Sequence, residues 1–284
     1  MPSYAYRKFK NRLFFALSLG CVIIASVPLL SILIEVIVNG APQLSTQFIT
    51  QSVGVIGSTS AGGIGPAIQG TLILIGLTCL IGMPLGVMSG IFLAEHGNHK
   101  FVRAYAPLMR IFNNALTGVP SIVVGITVFT VVVLTLGHYS PFAGAVALSF
   151  ILIPIVARTT EESLKLVPNS VREASLALGV RNWRTTVSVV LPEAKKGLVT
   201  GALLAVARTA GETAPLIMTI LGSQYFFQGF SQPMDALPLR IYRDAALPYP
   251  NFVAQGWGAA LVLILVVLGL NIGVRVVSRG RLGR

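Results

Sequence analysis

Long apolar runs, separated by short polar or glycine-rich stretches, set the pattern of this chain. Six runs are long enough to cross a bilayer, at roughly 13–38, 66–94, 106–136, 141–158, 196–221 and 253–277. A hydrocarbon core of about 30 Å takes about 20 helical residues, so each run predicts one spanning helix. Pro28, Pro84, Pro120, Pro154 and Pro215 fall inside these runs. Neighbouring helices can satisfy the backbone groups that proline frees, so the prolines do not veto the assignment. Pro120 next to Ser121 can expose a carbonyl, although such a proline more often kinks its helix. The pattern predicts an all-α, polytopic membrane protein with six transmembrane helices.

Composition agrees. Of 284 residues, 54% are hydrophobic and 11% charged, and the mean hydropathy is +0.80. A soluble domain of this length needs far more surface charge. The net charge of +12 would raise the question of nucleic acid in a soluble protein, but here its distribution matters more. Of the 21 Lys and Arg, four lie in the tail to Arg12, three in 95–110, seven in 158–196 and four from Arg275 onward. Only Arg240 and Arg243 fall on the other side, and Arg208 lies within a run. The positive-inside rule then places both termini in the cytoplasm of a multi-pass protein of the cell membrane. No nucleic-acid partner is needed to explain the charge.

The expected organisation is a cytoplasmic tail at 1–12, a transmembrane domain at 13–277 that includes a cytoplasmic loop at 159–195, and a second tail at 278–284. The run 13–38 exceeds a signal-peptide core and lacks a small-x-small cleavage site, so it is expected to stay as the first helix. Cys21 and Cys79 lie in apolar runs without a CxxC partner and read as small hydrophobes. The outer segment PMDALPLRIYRDAALPYPNF predicts a short interfacial helix. Glu35, near the outer end of the first run, is expected to snorkel. His96 and His99 in EHGNHK are expected in a solvated turn, with no metal site.

The loop LKLVPNSVREASLALGVRNWRTTVSVVLPEAKKG carries the most local information. Ser170 and Glu173 form an S-x-x-E pattern, which predicts a capping box and a helix from about Val171. Gly179 is placed to end that helix in the left-handed conformation. A second helix is expected from Asn182 or Trp183, stopping before Pro192. The result would be a compact knob with Leu176 and Leu178 on its surface.

The fifth run holds Arg208 and Glu212. Each charge at a span centre costs about 2.5–3.5 kcal/mol on insertion scales, so neither should face lipid. Their i, i+4 spacing predicts a pair on one helix face, together with Ala205, Thr209 and Thr213. Such a face suits close approach of another helix or a water-filled passage. Arg presents a fork of donors that grips oxyanions at two points, and a neighbouring Glu weakens the grip so that the ion can leave. The rival reading is a structural salt bridge.

Glu173-Ala174-Ser175, then Gly179, then Val189-x-Leu191-Pro192 resembles the EAA loop of ABC importer permeases. Both of that pattern's spacings hold, with Ser175 for the second Ala and Val189 for the usual Ile. The resemblance implies a type I ABC importer permease bundle in which Glu173, Ala174, Ser175, Gly179, Leu191 and Pro192 couple to an ATPase. The segments GGIGPAIQGTL (Gly62 to Leu72), GVPSIVVGI (Gly118 to Ile126) and ARTAGETAPL (Ala207 to Leu216) resemble phosphate-specific ABC permeases. Length and segment spacing are more like the family's A-type subunit than its C-type.

That family works with a homologous second permease subunit, an ATPase dimer and an external phosphate-binding protein, and membrane lipid is the remaining expected partner. Arg208 and Glu212 match its intramembrane charged pair, and Thr209 and Thr213, from the helix face read above, are expected beside them in a substrate pathway. The chain has no GxxxxGK[ST] and no Gly-Lys dipeptide, so it is not expected to be an enzyme. ATP and Mg would sit on the partner, with no cofactor on this chain and no resident metal. Other oxyanions (sulfate, molybdate, tungstate or a phosphonate) would suit the same arginine. A secondary transporter or channel working without ATP, or a membrane scaffold without transport, are readings from other classes.

Overall fold

The computed structural model describes residues 4–55, 62–95 and 105–280. The described residues are helical and form no strand; two isolated bridges join Val53 to Gly62 and Leu221 to Met234. The elements are α1 (Tyr4–Gly40), α2 (Thr46–Thr50), α3 (Gly65–Glu95), α4 (Ala106–Gly118), α5 (Ser121–Val128) and α6 (Leu134–Leu136). Then follow α7 (Pro141–Lys165), α8 (Asn169–Ala177), α9 (Asn182–Thr185), α10 (Leu191–Ala210), α11 (Ala214–Thr219), α12 (Leu237–Ala246) and α13 (Pro250–Gly280). The histidines of EHGNHK lie outside the described residues.

Among the described residues four helices are long and apolar enough to cross a membrane: α1, α3, α7 and α13. The third predicted span is a fifth only if its bent halves count as one, because α4 and the helix from Ser121 to Leu136 meet at 99°. Pro120 sits at the bend in an extended conformation and opens α5. The residue before a proline is pushed out of the helical region, and Val119 is extended too. The expected fifth span, 196–221, is corrected. It begins as α10, whose stretch between Lys196 and Arg208 is too short to span alone, and the helix stops at Ala210. Pro215 cannot donate to the carbonyl four residues back, and its ring clashes there. That carbonyl belongs to Gly211, where the break falls.

The centre of the bundle is α7. One side meets α3 along Gly82, Gly86 and Gly90, spaced four apart on one face. A β-carbon on Gly86 would lie 2.8 Å from Val156 Cβ, and one on Gly90 would lie 2.5 Å from the Ala157 carbonyl. Small residues at this spacing let two backbones close, the main source of helix affinity in lipid. Gly197 and Gly201 of α10 repeat the device against Ser163 and Thr159 on the other side of α7. By contrast α1 is almost wholly exposed along its apolar length, and near its C-terminal end Gly40 fits against the Trp257 carbonyl of α13.

Candidate functional site

The predicted knob is present, held at one end of the bundle by α8, α9 and the turn between them. Gly179 has φ +76°. Its N–H donates to the Leu176 carbonyl (2.9 Å), and the Val180 N–H reaches back to the Ser175 carbonyl (3.3 Å). This nested pair is the Schellman arrangement that a left-handed glycine completes. The capping box does not form. The helix starts earlier, at Asn169 behind Pro168, with no side-chain cap. Proline pre-sets the backbone angle at a helix entry, which makes the Ser170–Glu173 exchange unnecessary.

Nor does the second arm stop before Pro192. It runs through a π-helical turn at Thr186–Val190 directly into α10, with the Leu191 N–H bonded to the Thr186 carbonyl. The wider turn sets Pro192 into the start of α10 without a break.

Glu173, Ala174 and Gly179 are exposed. Ser175 is buried, its hydroxyl 2.9 Å from that of Thr185, so it ties the two arms together. Leu191 is half-buried in the cluster beneath the knob, and Pro192 is exposed. Leu178 (85% exposed) and Trp183 (63%) stand out of the surface. A helix tip with a bare leucine and tryptophan beside Arg181 and Arg184 is a surface built for contact.

Beneath the knob lie polar clamps that sequence reasoning missed. Arg172 of α8 pairs with Glu95 at the end of α3 and donates to the Leu164 carbonyl of α7 (2.7 Å). Thr186 donates to the other Glu95 oxygen (3.3 Å). Alongside, Arg110 of α4 donates to Glu161 (2.7 Å) and to the Leu93 carbonyl (3.2 Å), and Lys165 shares the same Glu161 oxygen at 2.5 Å. An acid at the end of each of two apolar runs was the available signal.

At the break in the fifth run the expected pairing fails. Among the described residues Arg208 and Glu212 make no ion pair, because the helix ends between them. Thr209 and Ala205 do not share the arginine's face. They are buried against α7, and the Thr209 hydroxyl donates to the Ala205 carbonyl (2.8 Å). Arg208 instead continues an exposed stripe through Thr200 and Leu204 to Gly211, with Glu212 and Thr213 half-buried just beyond it. The structure brings two of the quoted segments together here: Gly125 of α5 packs on Pro215 of α11, where a β-carbon would lie 2.8 Å from the Pro215 Cα. Leu74 of α3 joins Leu216 and Ile220 in one core cluster.

At the end of the bundle remote from the knob, the predicted short helix is α12, with one face buried in the bundle and Tyr242, Ala245 and Ala246 exposed on the other. Asp235 and Asp244 are fully buried, and Arg240 nearly so. Arg240 Nε donates to Asp235 at 2.8 Å, and its Nη1 lies 3.5 Å from Asp244. Both Asp244 oxygens and Asp235 Oδ1 have no hydrogen-bond partner among the described residues. Burial pushes both carboxyls up against the pull of Arg240, Asp244 to about 7.

A glycine-seamed bundle of apolar helices, with a contact knob at one end and a cation at an interrupted span, defines a multi-pass membrane permease. The chain belongs to the family described as binding-protein-dependent transport system inner membrane component, whose model matches residues 82–282. It is 40% identical over 273 residues to the phosphate transport system permease protein PstA of Yersinia pestis, covering 96% of this chain and 91% of that one. The corresponding protein of Haemophilus influenzae is 40% identical over 272 residues, with 96% and 95% covered. A chain in the crystal structure of a bacterial alginate ABC transporter, in complex with its alginate pentasaccharide-bound periplasmic protein, shares the fold. Its TM-score is 0.67 at 14% identity, with 97% of each chain covered. The protein is a permease subunit of an ABC importer.

Proposed function

We propose that this chain carries inorganic phosphate inward by alternating access, as one of two homologous permease subunits fed by an external phosphate-binding protein. The observation that supports this best is the near full-length similarity to two phosphate transport permeases, together with the exposed stripe that ends in Arg208. A guanidinium on a bare helix face of an apolar chain needs a partner that keeps it from lipid. A second permease subunit closing over Thr200, Leu204 and Arg208 supplies one, and turns the stripe into a wall of a shared passage. There the fork would grip a tetrahedral oxyanion at two points, with Glu212 and Thr213 at its edge. Thr209 holds its own helix instead.

The knob is the surface offered to the ATPase dimer. Glu173, Ala174 and Gly179 would meet it, with Leu178 and Trp183 as anchors, while Ser175, Leu191 and Pro192 hold the shape behind them. ATP and Mg then belong to the partner. In this orientation the knob end and both termini lie in the cytoplasm, in accord with the basic loops. The direct test is phosphate uptake by Arg208→Lys in the assembled transporter. The expected fall is roughly tenfold or more, since the charge stays and the two-point fork is lost. Uptake at the wild-type rate would refute the role of the fork.

A further inference from the structure

We propose that Glu95 is the positioning residue that makes α3 follow the knob, so that its pairing with Arg172 and Thr186 links ATPase contact to the break beside Arg208. This rests on the reading of the knob as the ATPase docking surface. The knob is joined covalently to α7 through Leu166–Pro168 and to α10 through the π-helical turn, but α3 is 77 residues away in sequence from Arg172.

Beneath the knob lies an apolar cluster of Leu164, Val167, Val190 and Ala194. Apolar contact has no direction and allows sliding. The carboxylate of Glu95 removes that freedom. One oxygen takes the Arg172 guanidinium from the first arm, and the other takes the Thr186 hydroxyl from the second. Arg172 adds the Leu164 carbonyl at 2.7 Å. Charge-assisted bonds of this kind are short and directional. Both arms of the hairpin are therefore fixed to one side chain at the tip of α3. From there α3 runs roughly 30 Å, at 1.5 Å per residue, to Leu74, which shares a core cluster with Leu216 of α11 and Ile220 just past its end. That helix begins two residues after Glu212. Ile91 and Ala94 of α3 also pack on the apolar cluster, but the Glu95 carboxylate is the directional link by which a tilt of the knob reaches the interrupted span along a rigid helix.

The test uses the complete transporter in membrane vesicles, with three readouts: co-purified ATPase, ATP hydrolysis stimulated by the binding protein, and uptake of radiolabelled phosphate. For Glu95→Gln and Arg172→Gln the ATPase stays bound and hydrolysis persists, while phosphate moved per ATP falls roughly tenfold, within the range by which residues on a coupling network act. An unchanged ratio, whether both rates hold or both fall together, overturns the proposal. If Glu95→Gln lowers the amount of chain in the membrane, Thr186→Val removes only the weaker bond. The ratio must still fall, by a smaller factor, and a wild-type ratio again overturns the proposal. Leu178→Asp with Trp183→Asp separates the two ideas. Retention of the ATPase by that variant refutes the docking reading, whereas its loss, combined with an unchanged ratio in Glu95→Gln, refutes only the link.

Discussion

Two arginines hold the two ends of this bundle, and their surroundings differ in one respect. At the knob end Arg172 faces Glu95, and each oxygen of that carboxylate has a donor. At the other end Arg240 faces two carboxylates, and three of their four oxygens have none. The first cluster is balanced and only partly reached by water, so it can hold together through the knob movement proposed above. The second is sealed and carries one acid too many, so it ties α12 to the segment that precedes it and depends on protons. A charge cluster that must move is satisfied, whereas a sealed one can be left short.

The comparison is broken most strongly by removing each arginine in turn. Arg240→Leu leaves two carboxyls buried without a cation, and should cost about 3–5 kcal/mol, read as loss of folded chain from detergent extracts. Arg172→Leu should cost less, about 1–3 kcal/mol, and keep the chain in the membrane. Equal losses would erase the distinction. Next in size is Gly86→Val, which drives a branched side chain into Val156 and Ile153. Overpacking of about 1–3 kcal/mol should loosen the α3–α7 seam and lower the unfolding temperature more than Gly76→Val, where a β-carbon meets open space.

The pH response sharpens the contrast further. Because burial raises Asp244 from its ordinary 3.8 to about 7, the folded chain keeps a proton that the unfolded chain has lost in that window. Stability is therefore greatest at the acid end and declines as pH rises from about 4 to about 7. Asp244→Asn should flatten that slope and gain about 1 kcal/mol at pH 8, roughly 2–4 °C in midpoint. Thermal unfolding across pH 5 to 8 checks this, and an unchanged slope would show that Asp244 is not the group responsible. An effect of comparable size is expected from Gly179→Ala. A β-carbon there touches nothing within the chain, so the cost is the positive φ alone, about 1–2 kcal/mol. It should appear mainly as weaker ATPase retention in pull-downs.

Features set by local chemistry were legible in the sequence. Gly179 as a left-handed stop, the apolar tip, the four long apolar helices and the helix in the outer segment follow from spacing and from what glycine or proline permits. The glycine seam was equally local, since Gly82, Gly86 and Gly90 recur at one helical face, but it went unread beside the stronger hydropathy signal. Hydropathy alone carried the fifth run past Gly211 and Pro215, where the backbone breaks and the i, i+4 face of Arg208 and Glu212 ceases to exist. The capping box failed because Pro168 already sets the helix entry. The acids of the clamps stood in view at the ends of two apolar runs, but their partners did not, because Glu95 meets Arg172 only once α3, α7 and the knob have packed, and no local pattern encodes that meeting.

The central claim is that the Arg208 stripe faces water between two subunits. A chain with Cys21→Ala and Cys79→Ala, carrying Leu204→Cys one turn from Arg208, measures this when the assembled transporter is treated with a small, charged thiol reagent. The account predicts labelling that phosphate-loaded binding protein and ATP slow or speed as the passage opens to one side. A thiol that stays unreactive in every state would place the stripe in a dry contact and contradict it.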